Sequence, residues 1–210
     1  MTDHDDFAFE PIPGLPARPP VGEDILWQGR PAAYALARDA YGLHWIAGYF
    51  ALIVLWRAAS AYAEGGLGLA FAIGIPYVGL SALGLGVVFL LAYAQCRASL
   101  YTITSARVVM RIGAALSVTF NLPFAQLGSA SVATSRDGTG TIALVTTGTT
   151  RISALIAWPH IRPWHFNKTQ PALRCIPDAA SVANLLAEAA KTRLAQPVIA
   201  RAPMHAVAAE

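Results

Sequence analysis

Charge is what this sequence has least of. Of its 210 residues only 13% are Asp, Glu, Lys or Arg, against 55% hydrophobic, and the mean hydropathy is +0.47. A soluble domain carries about 25% charged residues, so this composition points to a membrane protein. The net charge is only +3 and the basic residues are scattered, which argues against nucleic-acid binding, where a concentrated basic patch is needed. Cysteine is scarce too. Cys96 and Cys175 form neither a disulfide framework nor a metal-ligand pair and read as unpaired thiols. The first twenty residues lack the basic-then-apolar pattern of a signal peptide. No nucleophile elbow, HExxH helix or glycine-rich phosphate loop after a strand is present. Asp137 and Asp178 have plain roles in a turn and a helix cap. The expectation is therefore a non-enzyme with no catalytic residues, no metal and no required cofactor.

What the chain does have is apolar length. Residues 40–56 and 65–96 carry no formal charge, and only Arg57 and Glu64 interrupt them. A spanning helix needs about 20 mostly apolar residues. The first run reaches that length if the helix continues through Arg57 with its guanidinium snorkelling to the headgroups. The second is longer than needed and can tilt or kink at Pro76. The pattern predicts a transmembrane hairpin over 40–96. Arg18, Arg30 and Arg38 precede it, and Arg97, Arg107 and Arg111 follow it. The excess of arginine on both flanks places both termini in the cytoplasm and the short loop outside.

Around the hairpin the chain divides further. Residues 1–22, acidic and then proline-rich, read as a flexible tail. Residues 23–39 form a pre-membrane segment, with Trp27 as an apolar anchor in an extended stretch and Pro31 opening a helix. Residues 97–195 alternate like strands at 99–104, 107–112, 116–121, 131–134, 141–147 and 150–155, with Arg136-Asp137-Gly138 as a turn. A last helix starts at Asp178 and shows one apolar face through Val182, Leu185, Leu186 and Ala189. Residues 196–210 read as a second tail.

Three places could do more than build the fold. Gly66, Ala70, Gly74, Ala82 and Gly86 fall on a four-residue spacing, which allows close helix approach. That face serves either the other span or a partner, including a second copy of the chain. His44 lies at or inside the first span. It could ligate the magnesium of a chlorophyll-type pigment, or it could be an interfacial histidine reaching water. Trp158, His160, Arg162 and Trp164 lie in a nine-residue stretch with two tryptophans, two prolines and two histidines. It reads as a rigid recognition loop, an aromatic belt on lipid headgroups, or a crossover capping the sheet. His160 and His165 have no cysteine or paired carboxylate nearby to suggest zinc.

Several antiparallel strands followed by a capping helix resemble a pleckstrin-homology-like domain. TITSARVVMRIG (102–113), LPFAQL (122–127) and the upstream GEDILWQGRP (22–31) look like the bacterial version of that pattern. DHDDFAFEPIPGLP, RDAYGLHWIAGYF and AWPHIRPWHFNKTQPALRCIPDAASVANLLAEA together resemble the PuhB family, which assists assembly of photosynthetic reaction-centre complexes in purple bacteria. Three spans are expected of that family; two are read here. The resemblance implies a mainly-β, pleckstrin-homology-like domain after the hairpin. It also implies a non-enzymatic factor for the reaction centre and its core light-harvesting antenna, with their subunits as partners. The alternative is a membrane-bound carrier of lipid or bacteriochlorophyll, using His44 or a basic cluster that includes Arg107 and Arg111.

Overall fold

A computed structural model describes residues 11–114, 116–147, 152–165 and 168–195. Strand β1 (Ile25–Gly29) is followed by helix α1 (Ala33–Asp39), the long helical element α2 (Leu43–Ala98), and strands β2 (Leu100–Thr104), β3 (Arg107–Ile112) and β4 (Val118–Pro123). A short 3₁₀ turn leads to β5 (Leu127–Thr134) and β6 (Gly140–Thr146). Helix α3 (Ala154–Ala157), strand β7 (Ala172–Ile176) and helix α4 (Ala179–Ala195) complete the order.

The strands form two antiparallel sheets, β1-β2-β3-β4 and β5-β6-β7. The chain makes β1, leaves for the whole of α1 and α2, and returns to pair β2 beside it, with Trp27 opposite Ile103. The domain is therefore discontinuous in sequence, with the helices inserted between its first two strands. That extends it upstream of the expected start at residue 97. Glu23 strengthens the seam by taking two hydrogen bonds from Arg107 on β3, at 2.7 and 3.0 Å. Part of the expected N-terminal tail is also fixed. Leu15 is buried, and the Pro13 carbonyl accepts from Gln28.

One core lies between the sheets and under α4. Tyr101, Ile103, Met110, Ile112, Phe124, Ile142, Leu144, Leu173 and Ile176 are all buried, and α4 adds Val182, Leu186 and Ala189. The apolar spacing expected on the last helix is the face that packs. Asp178 stands just before it at φ 49°, with its carbonyl accepting from Val182. The strand expected over 150–155 does not form where it can be described, since Ala154 already begins α3. Residues 148–151 lie outside the described residues. The strand completing the second sheet is β7, paired with β6 through Ile142 and Leu173.

Element α2 is helical except at Gly65 (φ −149°, ψ 21°) and Gly66 (φ 70°, ψ −163°), and it stays helical through Pro76. Gly66 occupies a backbone region that is essentially glycine-only. Residues on the two sides of this break meet in reversed order. A Cβ on Gly74 would lie 3.7 Å from that of Ala58, and one on Gly84 would lie 3.0 Å from the Phe50 ring. The Arg57 guanidinium sits 5.7 Å from the centre of the Tyr77 ring. It stacks across on the second stretch, and the expected snorkelling towards the loop is not seen. Among the described residues, α2 is the one helix long and apolar enough to cross a membrane.

Candidate functional site

Only Ser99 separates α2 from β2, so whatever fixes Ser99 fixes the long helix to the domain. Four side chains do so in a buried relay. Ser99 Oγ donates to the Gln95 carbonyl at 2.7 Å and lies 3.0 Å from His160 Nε2. Tyr101 Oη lies 2.5 Å from His160 Nδ1 and accepts the Arg174 backbone N–H at 3.3 Å. Each hydroxyl has one proton, so the direction follows. Ser99 has given its proton to Gln95 and must accept from His160 Nε2–H. Nδ1 then accepts from Tyr101. Burial and the nearby Arg174 charge hold the imidazole neutral, with its pKa lowered to about 3. Burial pushes the Tyr101 hydroxyl well above its usual range. The Arg174 guanidinium donates to the Pro159 and Asp39 carbonyls at 3.3 and 3.0 Å, bringing α1 into the same joint. His160 is fully buried with both nitrogens used, so as a direct partner contact it is corrected: it holds the joint together from inside.

The surface around this joint is different. Trp158 is 43% exposed and its ring meets Tyr41 edge-on at 4.9 Å, beside the start of α2. Trp164 is 89% exposed and holds φ 64°, an uncommon conformation for a residue with a side chain. Leu155 and Ile156 are exposed on α3. Sequence reasoning missed these two because Leu155 read as the end of a strand and Ile156 as the connection after it. Arg162 points its guanidinium at Gln170 Oε1, 3.2 Å away, which closes the base of the loop. The segment thus presents Leu155, Ile156, Trp158 and Trp164, with His160 as its buried root.

The glycine-alanine face divides in two. Gly74 is buried against Ala58, Ala70 is half-buried, and Gly66 makes the break, whereas Ala82 and Gly86 are exposed. Steps of four residues turn about 40° further than one helical turn each time, so the row winds off the contact. The inward positions follow alternating steps of three and four through Gly74, Tyr77, Ser81 and Gly84, a signal the sequence did contain.

His44 lies in the first turn of α2, exposed, with Nε2 3.0 Å from the Tyr34 hydroxyl. That arrangement fits the interfacial reading, and a pigment metal would have to displace Tyr34 from that nitrogen. The basic cluster is corrected as well. Arg107 is paired with Glu23 and Arg111 is buried, so neither presents a free charge to a lipid surface. Arg38 on α1 instead clasps the β5–β6 turn, bonding Asp137 at 2.6 Å. Hydrogen bonds from Thr139 and Arg38 lower the Asp137 pKa to about 2. No group of three potential metal ligands occurs among the described residues. A cleft of about 420 Å³ lies between β5 and α4, lined mainly by apolar residues that include Phe124, Leu127, Val132 and Leu186.

Two antiparallel sheets closed by a C-terminal helix, with a long apolar helical element inserted after the first strand, define a mainly-β, pleckstrin-homology-like class of protein. The chain belongs to the bacterial PH domain family, which it matches over residues 45–190. It is 48% identical over 205 residues to a Rhodobacter capsulatus protein described as an uncharacterized 23.7 kDa protein in the puhA 5′ region. The match covers 97% of this chain and 95% of that one. Among solved structures, a DUF1696 family protein with a pleckstrin-homology domain from Shewanella loihica is 11% identical. That comparison covers 44% of this chain and 71% of the other, with a TM-score of 0.29, too slight a likeness to carry an argument.

Proposed function

We propose that this protein is a non-enzymatic assembly factor of the PuhB type. In this reading, α2 is a transmembrane hairpin turning at Gly65 and Gly66, both termini are cytoplasmic, and reaction-centre and core-antenna subunits are the partners. One observation carries the reading: α2 exposes large apolar side chains along its length, including Leu52, Leu55, Phe71, Ile75, Leu80, Leu83 and Leu90. Monomeric soluble proteins rarely leave so extended an apolar surface uncovered. Lipid and partner helices are what can cover it. The choice of partner is supported by the relative's position in the puhA 5′ region, a reaction-centre gene region.

An assembly factor works by differential binding: it must hold an intermediate more tightly than the finished complex. The exposed Trp158 and Trp164 suit such a contact, since amphipathic rings bury area at small entropic cost. The buried relay suits it mechanically by fixing the helix ends to the domain. The carrier reading has less support, because His44 is engaged by Tyr34 and the basic cluster is internal. The test is gene deletion with pulse-labelled reaction-centre and antenna polypeptides. Slowed accumulation of the assembled complex is expected; an unchanged assembly rate rejects the proposal.

A further inference from the structure

Arg57 is the single Lys or Arg in the whole of 43–96, and its environment is unusual. Its guanidinium rests on Tyr77 of the second stretch. Its Nε is buried with no hydrogen-bond partner. Among the described residues no carboxylate pairs with it. A cation in hydrocarbon without a counter-charge is costly, and such residues commonly mark a functional contact. The stacking on Tyr77 offsets part of that cost and holds the charge away from the loop.

We infer that Arg57 with Tyr77 forms an intramembrane receptor for a carboxylate on a partner protein's transmembrane helix. This rests on the transmembrane reading of α2. Depth selects among the anions available. Arg57 lies eight residues before the Gly65 break, about 12 Å along the axis. Its guanidinium stays level with Tyr77, which lies eleven residues past Gly66, about 16 Å along the other stretch. A lipid phosphate sits outside the hydrocarbon layer, which is about 30 Å thick. A second copy does not supply the group either. The one carboxylate in 43–96 is Glu64, immediately before the break, and a parallel copy would carry it at the loop level. A carboxylate on another chain's helix can meet the guanidinium at its own depth, with charge-assisted, two-pronged geometry.

The test uses the full chain in vesicles of uncharged phospholipid. Donor–acceptor fluorescence measures its association with a leucine-alanine transmembrane peptide carrying one Glu, or one Gln, at that depth. Roughly tenfold tighter binding of the Glu peptide is expected, weakened by Arg57→Lys, which keeps the charge without the two-pronged fork, and lost in Arg57→Leu. Equal binding of the two peptides by the unaltered chain overturns the inference without any variant. If added anionic phospholipid abolishes the preference, the site belongs to a lipid phosphate and the inference is likewise overturned. Protease protection of 43–98 in the same vesicles separates the two levels. Protection without a Glu preference removes only the Arg57 receptor, whereas loss of protection removes the membrane reading and the receptor with it.

Discussion

The β domain and α2 are both rich in large apolar side chains, yet they treat them in opposite ways. In the domain, Ile103, Met110, Ile142 and Leu173 are almost completely buried; in α2, Leu52, Leu80 and Leu90 are each more than 60% exposed. The domain is explained by its own packing. The helix leaves large apolar side chains uncovered by the described residues. The buried relay through His160 is where the two regimes meet, joining the end of α2 at Ser99 to Tyr101 and Arg174 of the domain.

That contrast can be broken by substitution. Ile142→Ala removes a fully buried core side chain and should cost about 2–5 kcal/mol. Leu80→Ala, the same class of truncation on α2, should leave the domain's denaturation midpoint in detergent nearly unchanged, within about 0.5 kcal/mol. Equal losses at the two positions would mean that α2 is part of a common core. Next in size is His160→Ala, which leaves Tyr101 and Ser99 without their partner inside the joint. A loss of about 3 kcal/mol is expected, measured by urea unfolding of the purified chain.

The same histidine sharpens the comparison through pH. Its folded pKa is lowered to about 3, so the unfolded chain binds the extra proton first. The contribution is fully present above pH 6.5 and is lost progressively as pH falls towards 3, with a limiting slope near 1.4 kcal/mol per pH unit. His160→Gln should remove that part of the slope. Asp137, with its pKa lowered to about 2, contributes stability that is present above about pH 3.8 and is lost as pH falls through about 2. A stability profile of His160→Gln that overlays the unaltered chain between pH 6 and 4 would remove the relay's electrostatic account.

Smaller effects belong to the break and the surface. Gly66→Ala places a Cβ at φ 70°, ψ −163° and should cost about 1–3 kcal/mol, seen as weaker contact between labels on residues 50 and 84. Trp164→Ala should change stability by less than about 0.5 kcal/mol. It should nonetheless weaken co-purification of reaction-centre subunits if the tryptophan segment docks them.

Local patterns in the sequence made much of this visible. The β3 run and the helix face at Val182, Leu186 and Ala189 depend on neighbouring residues, and both form as their spacing implies. The pairing of β1 with β2 was hidden because Trp27 and Ile103 lie 76 positions apart, and no local pattern reports a pairing across an insertion. β7 was missed because Leu173 and Ile176 follow a proline-rich stretch that read as crossover. His160 misled for a physical reason: histidine among tryptophans looks like surface chemistry, and only the convergence of Ser99, Tyr101 and Arg174 makes it interior. Arg57 was taken as a snorkelling residue because the tyrosine beneath it lies twenty positions away.

The most direct measurement is a spin-label scan of the full chain in lipid vesicles, with Cys96 and Cys175 replaced, comparing collisions with dissolved oxygen and with a water-soluble nickel chelate. Labels at positions 52, 80 and 90 should be open to oxygen and closed to the chelate, while a label at Val132, exposed on β5, should show the reverse. Chelate access at 80 and 90 equal to that at 132 would contradict the account, because α2 would then face water.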